Sequence, residues 1–159
     1  MAVVVLTPAN ASPFMTAARK DPRSQAFFAR FDALAEHEHF ALVGLASRGE
    51  GGLRRNVYVH AKAAVIDDAW ATIGSCNIGV RSFFGDTELN ASFWEPATAR
   101  SLRVELLREH LGVDTAALGD REALALYRER AHENARALAS GADGDGIAFA
   151  LDPREYARA

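Results

Sequence analysis

The alternation of apolar and polar positions divides the chain into short β-type runs near the front and longer helical stretches behind. Ala2 to Leu6 is a β-branched run closed by Thr7-Pro8, the pattern of a buried strand. Ser12 followed by Pro13 is a helix start, because proline at the first helical position gives up no needed N–H. Asp21-Pro22 predicts a break, since the residue before proline avoids helical geometry. A second helix is expected from Ser24 to about Glu36, with Phe27, Phe28, Phe31 and Leu34 on one face. Phe40 to Ala46 reads as a strand, and the glycine- and arginine-rich stretch Arg48 to Arg55 as a loop. Three further strands are expected at Val57–Val65, Trp70–Ile73 and Leu89–Trp94, with turns at Asp67-Asp68 and Gly74 to Asn77. Beyond them the spacing turns helical. Thr98–Leu111 stops at Gly112, and a helix capped by Asp120 runs to about Ala139. Ser140–Gly146 is a flexible turn, and the last residues form a short strand and a frayed end. Strands and helices mixed in this way predict an α/β domain, a mixed β-sheet flanked by helices.

Composition narrows the class without naming a function. The chain has 159 residues, 49% hydrophobic and 25% charged, the mix of one globular domain with a core of its own. A formal net charge of -3 gives no general attraction to nucleic acid. Cys76 is the single cysteine, so no intramolecular disulfide forms. No apolar run is long enough to span a bilayer. Val3–Leu6 is too short for the core of a signal peptide, so the expected location is cytoplasmic or peripheral at a membrane surface.

Chemistry concentrates in one string. His60-Ala61-Lys62 is followed by Asp67, then by Gly74-Ser75-Cys76-Asn77. His60 and Lys62 stand two apart in the expected strand Val57–Val65, so their side chains leave the same face of the sheet. A neutral imidazole can attack phosphorus, an ammonium beside it can hold phosphate oxygens, and the Gly-Ser turn with Asn77 can add neutral donors. Glu88 is placed to accept the proton on the far ring nitrogen of His60 and fix its tautomer. Average residue usage gives six fixed types at this spacing on the order of once in a hundred million starting positions.

The segment from Tyr58 to Asn77 resembles the HKD motif of the phospholipase D superfamily, H-x-K-x(4)-D. Arg81 to Asn90 resembles the stretch after the second such motif in phospholipases D and cardiolipin synthases, and Leu106 to Gly112 the region beyond it. The likeness is strongest from Val57 to Phe93, the motif core of a single domain over residues 1–159, with residues 97–159 as its C-terminal helical region. It implies half of an α-β-α sandwich. His60 would be nucleophile or general acid, Lys62, Ser75 and Asn77 would contact the phosphate, and Asp67 would hold local structure. Glu88, 88 − 60 = 28 residues after the histidine, would support His60. The resemblance implies no metal and no organic cofactor. It implies a phosphohistidine intermediate resolved by water or an alcohol, with phospholipid as substrate.

Sites of this family are built from two such motifs, and this chain carries one: His37, His39, His110 and His132 lack the partner lysine. The missing half would come from a partner chain, from an N-terminal half, or from a second copy in a homodimer. Three readings follow: a phospholipase D-like phosphodiesterase or phosphatidyltransferase half, a homodimeric nuclease, and a non-catalytic remnant. The acidic charge weighs against the nuclease. Lesser candidates are Arg54-Arg55, which could face an anionic headgroup, Arg81-Ser82, and His37-Glu38-His39. The last are badly spaced for a metal on a helix. Asp143 to Gly146 lacks the further ligands of a calcium loop.

Overall fold

The computed structural model describes residues 1–48 and 54–158. The order of elements is β1 (Val3–Leu6), α1 (Pro13–Lys20), α2 (Gln25–Ala33), β2 (Phe40–Arg48), β3 (Arg54–Val57), β4 (Lys62–Ile66), β5 (Trp70–Gly74), α3 (Val80–Phe84), β6 (Asn90–Phe93), α4 (Pro96–Leu111), α5 (Asp120–Ala139) and β7 (Ala148–Leu151). Helices and strands mix as expected of an α/β domain. The strands, however, form two sheets. In the first, β2 pairs parallel with β1 and antiparallel with β3 and β7. The second is an antiparallel meander, β4-β5-β6.

The expected strand Val57–Val65 is therefore two strands in different sheets, with residues 58–61 outside both. Alternation across Val57, Val59 and Val65 carries the chain from one hydrophobic surface to another, and period-two spacing cannot reveal that the backbone changes sheet between them. Arg48 and Arg54 also belong to strands and not to a loop. The middle of that expected loop lies outside the described residues.

The core sits on the face of β2 that carries Ala41, Val43 and Leu45. Leu107 and Leu111 of α4, Tyr127 and Ala131 of α5 and Ala148 of β7 close over it. These positions recur at helical spacing in α4 and α5, one apolar stripe on each, while β2 is buried on both faces, with Leu42 and Ala46 on the other side. Two helix starts are side-chain capped: Ser12 accepts from the Met15 N–H, and Glu95 accepts from the N–H groups of Ala97 and Thr98. Asp120 is the first residue of α5 and not its cap. Gly119 precedes the helix, and Glu122 accepts from the Gly119 N–H. The second helix stops at Ala33 and tightens into a 3-10 turn, Leu34–Glu36.

Two buried polar devices brace this frame. Asn134, 2% exposed, donates to the carbonyls of Asp145 and Ala148 and accepts from the Asp145 N–H. It thereby anchors the turn before β7, where Gly146 has φ +73° and a Cβ would lie 2.6 Å from the His110 carbonyl oxygen. The Tyr127 hydroxyl meets His110 Nδ1 at 2.9 Å. Burial pushes the His110 imidazole below its usual value and the Tyr127 phenol well above its own.

Candidate functional site

The motif falls on the second sheet and the chain leading into it. Ile66-Asp67-Asp68-Ala69 is the hairpin turn between β4 and β5. Asp67 and Asp68 have φ 54° and 50°, and the Ala69 N–H reaches the Ile66 carbonyl. Aspartate tolerates this left-handed geometry better than most residues. The anchoring expected of Asp67 is found one residue on. Asp68 accepts from Arg103 Nε at 2.8 Å and Nη2 at 2.7 Å, and from Arg100 Nη1 at 3.2 Å. Arg103 is itself 5% exposed. Those two guanidinium groups, the Arg103 hydrogen bond first, hold the Asp68 carboxyl below the usual carboxylate range. The hairpin is thus bolted to α4, while Asp67 is exposed at its tip.

The Gly74–Asn77 turn is set by close approach to the chain before β6. A Cβ on Gly74 would lie 2.0 Å from Asn90 Oδ1 and 2.4 Å from the Leu89 carbonyl oxygen, so no side chain fits there. Asn90 Oδ1 accepts from the Cys76 N–H. The Ser75 N–H donates to the Leu89 carbonyl, and Ser75 Oγ accepts from the Leu89 N–H. The single hydroxyl proton of Ser75 goes to Glu88 Oε2 at 2.5 Å. Hydrogen bonds from Ser75 and then Ser82, with a smaller contribution from the field of Lys62, hold the Glu88 carboxyl below its usual value. Asn77 Nδ2 faces the buried hydroxyl of Ser82 at 3.5 Å.

Ser75, Asn77, Ser82, Glu88 and the ammonium of Lys62 therefore share one neighbourhood. His60 reaches it differently from the sequence reading. It lies in the link between the sheets, exposed, its ring stacked on Tyr58 with centroids 6.0 Å apart. Lys62 Nζ donates to the His60 carbonyl at 2.6 Å, so backbone and not strand alternation couples the pair. Among the described residues no hydrogen bond joins Glu88 to the His60 ring; Glu88 takes the Ser75 proton instead. For Ser75 to donate to a phosphate oxygen, it must first release Glu88. Asn90, Tyr58 and Asp68 were not singled out as working parts from the sequence, and of these only Asn90, two residues from Glu88 at the start of a strand, carried a usable signal. Ser82 was named as part of the Arg81-Ser82 pair.

Around this cluster the surface is apolar. Ile78 is 92% exposed, Phe84 85% and Leu89 82%; Trp94, 79% exposed, follows Phe93, which pairs with Ala71 at the far end of β6. Among the described residues no group of three or more His, Cys, Asp and Glu side chains is arranged to hold a metal ion, and no helix is long and apolar enough to cross a membrane. His39 is occupied by Glu38 and Arg128.

The motif string of His60, Lys62, Ser75, Asn77 and Glu88 lies on an α/β domain. The chain belongs to the phospholipase D superfamily, for the family model described as "Cardiolipin synthase, PLD-like domain" matches residues 2–109. It is 37% identical over 102 residues to phospholipase D1 of Schizosaccharomyces pombe, covering 52% of this chain and 8% of that protein. It is 36% identical over 86 residues to phospholipase D alpha 1 of Spuriopimpinella brachycarpa, covering 45% of this chain and 11% of that protein. It is 41% identical over 56 residues to the major cardiolipin synthase ClsA of Bacillus subtilis, covering 35% of this chain and 11% of that protein. The chain thus spans about a tenth of the length of these relatives.

Proposed function

We propose that this chain supplies one half of a phosphodiesterase or phosphatidyltransferase site that acts on phospholipids through a phosphohistidine at His60. The observation that carries the reading is the gathering of Lys62, Ser75, Asn77 and Glu88 around one turn whose backbone tolerates no side chain at Gly74. A ring nitrogen of His60 attacks phosphorus, and the bond from phosphorus to the leaving oxygen breaks. The leaving alkoxide takes a proton from an acid of the second half-site. Water or an alcohol then gives its proton to the resulting base and attacks phosphorus, and the P–N bond breaks. Lys62 and the Asn77 amide balance charge on the phosphate oxygens.

The second half is argued from the surface as well as from the single motif. Ile78, Phe84 and Leu89, large apolar side chains almost fully in water beside the cluster, are costly for an isolated domain, at about 25 cal/mol per Å² of apolar surface left uncovered. A second half-site closing on this face would bury them and supply the acid. The two relatives named as phospholipases D and the one named as a cardiolipin synthase favour phospholipid as substrate, and the net charge of -3 weighs against nucleic acid.

The test is phosphoenzyme trapping with a radiolabelled phospholipid. It is run on the chain alone and mixed with a candidate N-terminal half, with the oligomeric state measured in parallel by light scattering. Label on His60, lost in His60→Ala and reduced at least a hundredfold in Lys62→Ala with the fold intact, is the expected result. Unchanged rates in either variant refute the site assignment. Turnover of DNA by a homodimer would support the nuclease, and absence of any phosphoenzyme under every pairing the remnant.

A further inference from the structure

A cleft of about 400 Å³ opens away from the motif, where β2 begins and β7 ends. No residue of the candidate site lines it. Its floor is small and apolar, with Ala35, Ala41, Ala135 and Ala150, and its rim is charged. The rim carboxylates are committed. Asp152 holds Arg154 through two oxygens, Glu36 adds its field to Arg154, and Glu38 pairs with His39. The rim cations are not all answered. Among the described residues Arg128 is paired with no carboxylate. Its one hydrogen bond, at 3.3 Å, is to His39 Nδ1, which is an acceptor when Nε2–H faces Glu38. His132 follows Arg128 one turn along α5, and both line the cleft. Arg136 follows a turn further, close enough that the fields of Arg128 and Arg136, after partial burial, hold the His132 imidazole below its usual value.

Basic groups four residues apart on one helix repel, and among the described residues no carboxylate pairs with Arg128 or His132. A bound anion would. The Cβ atoms of residues one turn apart stand about 5–6 Å from each other, so the Arg128 guanidinium and the His132 ring can reach one anion together, and a tetrahedral phosphate offers them more acceptor oxygens than a carboxylate does. An alanine floor leaves room for a short apolar body below the anion, and the volume falls in the range of small-ligand sites, roughly 300–1,000 Å³. We propose that this cleft binds a phosphate monoester with a small apolar substituent, held by Arg128 and His132, at a site independent of the motif.

The test uses the full chain and two-dimensional NMR of backbone amides and histidine rings. The probes are inorganic phosphate and n-butyl phosphate. Saturable shifts at Arg128, His132 and Ala135 are expected, with n-butyl phosphate binding several-fold tighter because it fills the floor. Lys62→Ala should leave these shifts in place. Arg128→Gln and, separately, His132→Gln should weaken them about tenfold while His60 and its neighbours respond as before. Flotation with phosphatidic acid vesicles against phosphatidylcholine vesicles assigns the source. Flotation that depends on Arg128 places the monoester on a lipid, and none places it on a soluble ester. Shifts confined to His60, Lys62 and Ser75, shifts that never saturate, or shifts indifferent to both cleft variants overturn the proposal.

Discussion

Replacing Asp68 by alanine removes the carboxylate that fastens the β4–β5 hairpin to α4, and its cost can be worked from the contacts. Arg103, 5% exposed, loses both bonds of its bidentate pair, at 2.8 and 2.7 Å. Its guanidinium keeps the Thr115 hydroxyl at 3.3 Å and the Leu118 carbonyl at 3.2 Å. Removing one member of a buried ion pair costs about 3–5 kcal/mol, because the other charge stays buried. The two surviving acceptors, and the 13% exposure of the Asp68 side chain, place the expectation at the lower end, about 3 kcal/mol. Urea unfolding followed by circular dichroism should show a lower midpoint at unchanged slope. Thermal unfolding should shift by about 6–12 °C for a domain of this size. Arg103→Met should cost less, because it leaves a solvent-reachable carboxylate instead of a buried cation. The double variant should recover much of the loss, since an apolar pair can replace a buried ionic one. A loss below about 1 kcal/mol for Asp68→Ala, or additive losses in the double variant, would refute the reasoning.

Asn134→Leu should destabilise by about 2–4 kcal/mol, because it strands two buried carbonyls and one N–H, and hydrogen exchange should rise first in residues 143–148. Stability should fall with pH through the histidines. The folded-state values of His110 and His132 are depressed, so their contribution is complete above the unfolded value near 6.5 and is lost as pH drops below it. The urea midpoint of His110→Gln should therefore respond less to pH between about 6.5 and 5 than that of the wild type, and an identical slope would count against a buried neutral His110. Gly74→Ala should displace Asn90 and the Leu89 carbonyl, cutting turnover of the assembled enzyme about a hundredfold with a far smaller effect on assembly; full activity would mean that the turn does not set the phosphate site.

Element types were legible where a local pattern decides them. Pro13 behind Ser12, Gly112 after the leucine stripe, and the short apolar run of β2 each act within a few residues, and the folded chain follows them. The motif was legible because its chemistry restricts residue type at fixed spacing. Its three-dimensional arrangement was not. Spacing places Glu88 near His60, yet it cannot say that the Ser75 hydroxyl, brought in by the glycine at 74, takes that carboxylate. Nor can it say which of two adjacent aspartates will meet an arginine on a helix 35 residues away. Both outcomes are set by tertiary contacts that leave no periodicity in the chain. The break at 58–61 was hidden for the same reason, because two strands in different sheets wrote one uninterrupted alternation.

The meander β4-β5-β6 has one further consequence. The outward edges of β4 and β6 show no paired neighbour among the described residues, and an open sheet edge is a template on which other chains add strands. With Ile66, Ile73, Leu89 and Trp94 all reaching solvent on or beside it, expression of the chain without whatever closes that edge should lower its soluble yield. Co-expression with whatever closes that edge should restore yield before it restores any catalysis. A soluble-expression screen against candidate companions thus becomes a search tool in its own right.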